Sequence, residues 1–317
     1  NVQIKEPLKE KELAKSIKSF GMIDDLVSKK VREQYEENPY PRWGYIYKRP
    51  QSSFLKWIEQ EIRPNKIIYN NKFNNPNVLI AGCGTGSHPI QATKYQNANI
   101  LAVDLSKSSL AYAKRKTEEL GLKNIEYLHA DILQLKKLDK KFDIIEASGV
   151  LHHMKNPMAG LKVLVDILEP HGYLKLGLYS ELARKNVVET RKFIKNKNYK
   201  NTSKDINICR QDILSQKEDS LLQKVTKGKD FYTISAVRDL LFHTQEHRFT
   251  IPQISKILKD LDLEFLGFIF NNIETKNKYF KYFPEDKKSI YLDNWHQFEK
   301  MNPDTFKKMY QFWIKKR

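Results

Sequence analysis

The run VLIAGCGTG, residues 78–86, restricts the possible folds of this chain more than any other stretch. Its apolar residues read as a short buried strand, and a helical pattern follows from Ser87. Gly82, Gly84 and Gly86 therefore occupy a strand-to-helix turn, where glycine permits positive φ and lets a ligand approach the backbone closely. About twenty residues further on, Asp104 ends the next strand, where a carboxylate can accept hydrogen bonds from both hydroxyls of a ribose. The spacing is G-x-G-x-G: Ser87 stands where a dinucleotide fingerprint has its third glycine.

Around this turn the pattern alternates, which predicts a parallel sheet with helices on both faces. Strands are expected at 78–81, 100–104, 125–128, 142–147 and 173–179. The expected helices are 87–95, 107–120 (closed by Gly121) and 157–168. Residues 181–249 break the rhythm, being polar and helical in pattern. Thr250 then heads a capping box with Gln253, a helix runs to Leu261, and a sixth strand covers 263–270. The stretch 181–249 thus reads as an insertion after the fifth strand, overhanging the ligand side of an open sheet. Four segments are expected: an N-terminal helical lid (1–70), the ligand-binding core (71–180), a helical cap (181–249), and completion of the core with C-terminal helices (250–317). Residues 1–30 read as weakly helical with no clear part in the core. A helix is expected at 53–62 and a polar loop at 70–77. The aromatic tail 291–317 reads as helices packed on the core.

Four motifs in order carry a resemblance: AGCGTG, LAVDLS with Asp104, HADI with Asp131, and FDIIEASGVLHHM, closed by LEPHGYLKLGLYS. Over residues 78–179, about a third of the sequence, the chain resembles class I S-adenosylmethionine-dependent methyltransferases, which have a Rossmann-like α/β fold. The resemblance implies S-adenosylmethionine as cofactor. It places Gly82, Gly84 and Gly86 under the methionine part, Asp104 on the ribose and Leu105 in the adenine pocket. Asp131 would face the adenine amino group with Ile132 packed on the ring; the alternative for Asp131 is a helix-capping carboxylate. Ala147 and Ser148 would supply backbone near the sulfonium and amino-acid end. Methyl transfer from this donor is a direct displacement, so no catalytic triad is required.

The segment VREQYEENPYPRW, residues 31–43, starts helical and is forced into an extended turn by Pro39 and Pro41. Its ENPYPRW portion resembles a motif of bacterial methyltransferases, some fused behind tetratricopeptide repeats. With Asn1 as the first residue, an upstream domain in a longer chain is an expectation. Tyr35, Tyr40 and Trp43 could fold over the cofactor, with Arg42 meeting its carboxylate in a bidentate pair; equally, the segment could be a rigid brace on the core. His152 and His153 follow the fourth strand, at the rim where the methyl group would sit. His152 reads as a pocket-shaping residue and His153 as a candidate base. His243 and His247 are four apart, on one face if helical, and read first as acceptor contacts. Metal ligation with Glu246 ranks last, because a complete ligand set is missing, so no metal is expected. Tyr232 and Arg238 join as candidate pocket walls.

The formal charge of +18 invites a nucleic-acid partner. The lysines, however, are scattered through every segment, and no run of five or six like charges occurs. An RNA methyltransferase also conflicts with ASGV at 147–150, where base-amino methylation has an Asn/Asp-Pro-Pro-aromatic tetrad, and neither cysteine follows a proline. A small-molecule acceptor is therefore the expected partner. RNA methylation and non-catalytic cofactor binding are the alternatives. No apolar run reaches the roughly 20 residues of a membrane span. Two cysteines cannot build a disulfide framework, and a cytoplasmic location follows.

Overall fold

The structure is a computed structural model that describes residues 4–67, 73–270 and 272–317; the first residues of the expected 70–77 loop lie outside them. The chain begins with α1 (Lys5–Ser16) and the two-residue strand β1 (Lys18–Ser19). Helix α2 (Leu26–Glu37) starts where the Asp25 carboxylate accepts from the N–H groups of Val27 and Ser28, both at 2.9 Å. Ser53 caps α3 (Phe54–Ile62). Then β2 (Asn77–Ala81), α4 (Ser87–Ala92), β3 (Asn99–Asp104), α5 (Lys107–Glu119), β4 (Ile125–His129) and β5 (Phe142–Ser148) alternate. Helix α6 (Pro157–Asp166) has an Asn156 cap and proline in its first turn, and leads into β6 (Leu168–Leu178).

These strands form one sheet in the order β1-β4-β3-β2-β5-β6, all parallel. Side chains alternate cleanly across it. Leu79, Ala81, Leu101, Val103 and Ile145 enter one core, while Val78, Ile80, Ile100, Ala102 and Ile144 enter the other. The strand order reverses between β2 and β5, so a crevice opens beyond their carboxyl ends.

After β6 the chain leaves the sheet through α7 (Lys185–Asn196), α8 (Ser203–Leu214), α9 (Leu221–Lys224) and α10 (Ile234–Leu241). These helices have a small core of their own, including Val187, Ile206, Cys209, Phe231 and Val237. The excursion closes at a single parallel bridge, Ser180 to Phe249, with Phe249 N–H donating to Tyr179 C=O at 2.8 Å. Helix α11 (Ile251–Asp260) follows with the complete Thr250–Gln253 capping box, then β7 (Leu263–Phe268), α12 (Glu274–Tyr282), α13 (Leu292–Met301) and β8 (Tyr310–Lys316).

Three expectations are corrected. The tail is not all helical: β8 lies between β6 and β7, antiparallel to both, and buries Tyr310, Phe312 and Trp313. The fifth expected strand starts at Leu168 rather than Tyr173. The N-terminal residues do enter the core. β1 pairs with β4, Ile17 is buried, and Glu10 accepts from the buried Arg115 at 2.9 Å.

Candidate functional site

The glycine turn sits where the crevice predicts. Gly82, Gly84 and Gly86 have φ of +69°, +51° and +88°. A Cβ on Gly82 would lie 2.5 Å from Val150, and one on Gly86 would lie 2.5 Å from Ala113, so neither position accepts a side chain. At Gly84 the nearest atom would be the Tyr40 carbonyl oxygen at 3.5 Å, so this glycine faces the N-terminal segment. Asp104 reaches across from β3: one carboxylate oxygen accepts from Gly84 N–H at 2.8 Å, the other from Ser106 N–H at 2.9 Å. Burial raises Asp104 to about 6, against these backbone donors, which favour the ionised form.

Other predicted cofactor contacts ring the same crevice. Leu105 follows Asp104, and its carbonyl meets His129 Nε2 at 3.0 Å. Asp131 is buried and caps the short turn Ile132–Leu138, accepting from Leu133 N–H at 2.9 Å, with Ile132 buried beside it. Ala147 and Ser148 end β5 next to the glycine strand, and the buried Ser148 Oγ has no hydrogen-bond partner among the described residues. A side-chain-free turn, a carboxylate across from it and an orphaned hydroxyl at the neighbouring strand end fit a bound nucleoside carrying polar groups.

The ENPYPRW segment grips the turn from outside. Thr85 Oγ1 donates to Pro41 C=O at 2.5 Å, Trp43 Nε1 donates to Thr85 C=O at 3.1 Å, and Tyr112 OH donates to Trp43 C=O. Trp43 is thus placed as a brace between the turn and α5. Arg42 lies 3.7 Å from Glu10 and over the Tyr112 ring. Glu36 docks the segment: its carboxylate accepts from the N–H groups of Lys107 and Ser108, at 2.5 and 3.1 Å, in the open first turn of α5.

The cap meets this segment over the crevice. Tyr35 OH donates to Asp239 at 2.5 Å, Tyr40 OH donates to Asp230 at 3.1 Å, and Arg238 lies 3.3 Å from Glu37. Burial and the proximity of Asp239, Tyr179 and Asp104 raise Tyr35, so its proton stays on. Burial raises Asp239 to about 6. Sequence reasoning missed Asp230 and Asp239. Their partners stand some two hundred residues away, and no local signal pairs them. Of the two wall candidates, Arg238 is buried at this seam, whereas Tyr232 is 60% exposed and faces solvent.

The histidines assemble differently from expectation. α10 ends at Leu241, so His243 and His247 lie in an extended bend rather than on one helical face. His243 stacks on His153, ring centroids 3.6 Å apart, while His247 Nε2 meets the Gln245 amide at 3.1 Å and its N–H donates to His152 C=O. His152 stacks on Tyr179 at 3.8 Å, and the Arg184 guanidinium covers that ring at 3.7 Å. Arg184 also holds Glu246, which removes it as a metal ligand; among the described residues no three His, Cys, Asp or Glu are placed to hold a metal ion. Burial pushes His153 down to about 4 and His243 to about 2. Neutral, weakly basic imidazoles build a wall well and abstract protons poorly.

Comparison with known proteins agrees with this geometry. Residues 72–235, just over half of the chain, match the family described as "Methyltransferase domain". An uncharacterised protein of Synechococcus is 29% identical over 170 residues, which span 53% of this chain and 41% of that protein. The ubiquinone biosynthesis O-methyltransferase of Coxiella burnetii is 33% identical over 120 residues, 38% of this chain and 47% of that one. The chain thus spans less than half the length of either relative. PKMT2 of Rickettsia typhi has a similar fold, with a TM-score of 0.62 and 19% identity over 88% of this chain and 55% of that chain; its structure in complex with AdoHcy gives 0.63. By sequence and fold together, the chain belongs to the methyltransferase-domain family, with a Rossmann-like class I architecture and S-adenosylmethionine as its cofactor.

Proposed function

We propose that this S-adenosylmethionine-dependent methyltransferase acts on a small-molecule acceptor enclosed between the N-terminal segment and the cap. The observation that carries the reading is the seam over the crevice, where Tyr35 joins Asp239, Tyr40 joins Asp230 and Glu37 joins Arg238. A covered crevice suits a compact acceptor and leaves little room for a folded RNA. The lid (1–70), core (71–180), cap (181–249) and completing segment (250–317) are the corresponding division of labour. No helix of the described residues is long and apolar enough to cross a membrane. Two buried free thiols, Cys83 and Cys209, fit a cytoplasmic location.

The cofactor supplies an already activated methyl group, so the protein's task is positioning and exclusion of water. Gly82, Gly84 and Gly86 offer bare backbone, and Asp104 accepts hydrogen bonds from the sugar. Leu105, Asp131 and Ile132 frame the base, and Ala147 and Ser148 meet the amino-acid end. Asp239 receives the acceptor's proton, since a carboxyl near 6 is ionised at neutral pH yet more basic than an exposed one. His153 and His243 shape the wall.

Labelled methyl donor incubated with the protein and a small-metabolite extract, followed by mass spectrometry, tests this. Transfer to a metabolite is expected, abolished by Asp104→Ala. Asp239→Asn should keep AdoHcy affinity and lose turnover by about a hundredfold. Salt-sensitive methylation of bulk RNA without any labelled metabolite overturns the acceptor assignment. Cofactor binding with no transfer to any pool overturns the catalytic one.

A further inference from the structure

Away from the crevice, the cap contains a cavity of about 550 Å³ between α7, the turn after it and the bend after α10. Arg191, Lys192, Lys195, Lys200 and Arg248 line it, and no carboxylate does. Two of these cations are engaged elsewhere, Lys192 with Glu189 at 2.7 Å and Arg248 with Glu181 at 3.0 Å. Lys195 and Lys200 extend from an exposed edge, and neither ammonium group has an ion-pair partner among the described residues, although the Lys200 N–H donates to the Asp205 carboxylate at 2.6 Å.

Arg191 is the informative member. Its Nη2 donates to His243 C=O at 2.7 Å, while the buried Nη1 has no hydrogen-bond partner among the described residues. A charged donor left unpaired and out of water is unfavourable and calls for an acceptor. Glu246 is not that acceptor, because Arg184 and Arg248 hold it. Burial lowers the proton affinity of Arg191; the nearby Glu246 carboxylate works against this, and the charges of Arg184 and Arg248 add to it. A negative charge in the cavity would relieve this crowding. His243 adds a second unmet donor. Its Nδ1 accepts from Gln245 N–H at 3.2 Å, so the ring hydrogen belongs on Nε2, which is also buried and unpartnered.

We propose that this cavity is a binding site for a small, multiply charged oxyanion, a phosphate ester or a polycarboxylate, gripped by Arg191 and screened by Lys195 and Lys200. It is separate from the cofactor crevice and does not depend on the identity of the methyl acceptor. His243 links the two sites: its ring stacks on His153 and lies 5.9 Å from the ring of Tyr35. An occupant of the cavity therefore bears on the rim of the crevice.

Calorimetry on the full chain with inorganic pyrophosphate, and separately with citrate, tests the site. Saturable 1:1 binding of at least one is expected; pyrophosphate alone marks a phosphate site and citrate alone a carboxylate site. Arg191→Gln should weaken that binding at least tenfold, and so should the exposed pair Lys195→Ala with Lys200→Ala, which leaves the cap core untouched. AdoHcy affinity should stay within twofold in both variants, separating this site from the crevice. The exposed control pair Lys278→Ala with Lys281→Ala should change nothing. No saturable heat with either anion overturns the proposal. So does equal weakening by the control pair, which would mark binding to diffuse surface charge, or binding of RNA where neither small anion binds.

Discussion

At the scale of single residues, Asp104 joins the fold to the chemistry. Its carboxylate holds the glycine turn through Gly84 N–H, and the same group is assigned to the sugar. In the unfolded chain an aspartate titrates near about 4. Burial lifts it to about 6 in the folded protein, so its stabilising contribution is complete below the unfolded value and is lost as pH rises through 6. Ligand binding has the opposite sign, because only the ionised form accepts two hydroxyl hydrogen bonds. AdoHcy affinity measured by calorimetry should therefore fall about tenfold per unit as pH drops below 6, and Asp104→Asn should flatten that dependence. An affinity that is constant from neutral pH down to about 5 contradicts the sugar contact. The position of Asp104 was legible because it is set by local spacing: a strand, a turn, then an acid at the next strand's end. The contact of Arg42 with Glu10 was not legible, because Glu10 belongs to a helix whose docking no local pattern announces. His243 and His247 misled for a different reason: the four-residue interval has meaning only on a helix, and α10 stops before them.

At the scale of elements, one link joins α2 to the start of α5. A helix start leaves N–H groups open, and here a glutamate from another helix fills two of them. Glu36→Ala should cost about 1–2 kcal/mol of stability, as loss of a helix cap does. Because the same contact seats the ENPYPRW brace on the turn, AdoHcy affinity should fall as well. Thermal melts with and without AdoHcy check both effects, and an unchanged melt in both conditions contradicts the docking role. Elements with local punctuation were readable in advance, such as the Thr250–Gln253 box and the helix ended by Gly121. The tail was not. YQFWIKK carries aromatic residues that suit a buried helix or a strand equally, and only its pairing with β6 and β7 decides.

At the scale of the molecule, β6 and β7 do not pair with each other; β8 lies between them and pairs with both. Trp313, fully buried in that strand, donates to Glu61 at 2.8 Å and packs on Phe54. Trp313→Ala should cost about 3–5 kcal/mol, a large share of the roughly 5–15 kcal/mol that holds a domain folded. Urea titration should show a midpoint well below that of the parent, and an unchanged midpoint contradicts the joining role of β8. The sheet and its ligand side were legible because alternation and turns are written locally. The seam between lid and cap was not, since it depends on how separately folded pieces meet.

The bridge from Ser180 to Phe249 has a consequence of its own. The chain leaves the sheet and returns to it through neighbouring backbone positions, so the segment between them is an insertion that interrupts none of the strands. Acceptor preference could be rewritten by exchanging the seventy or so residues between those two stitches, while every strand that carries the methyl donor keeps its place.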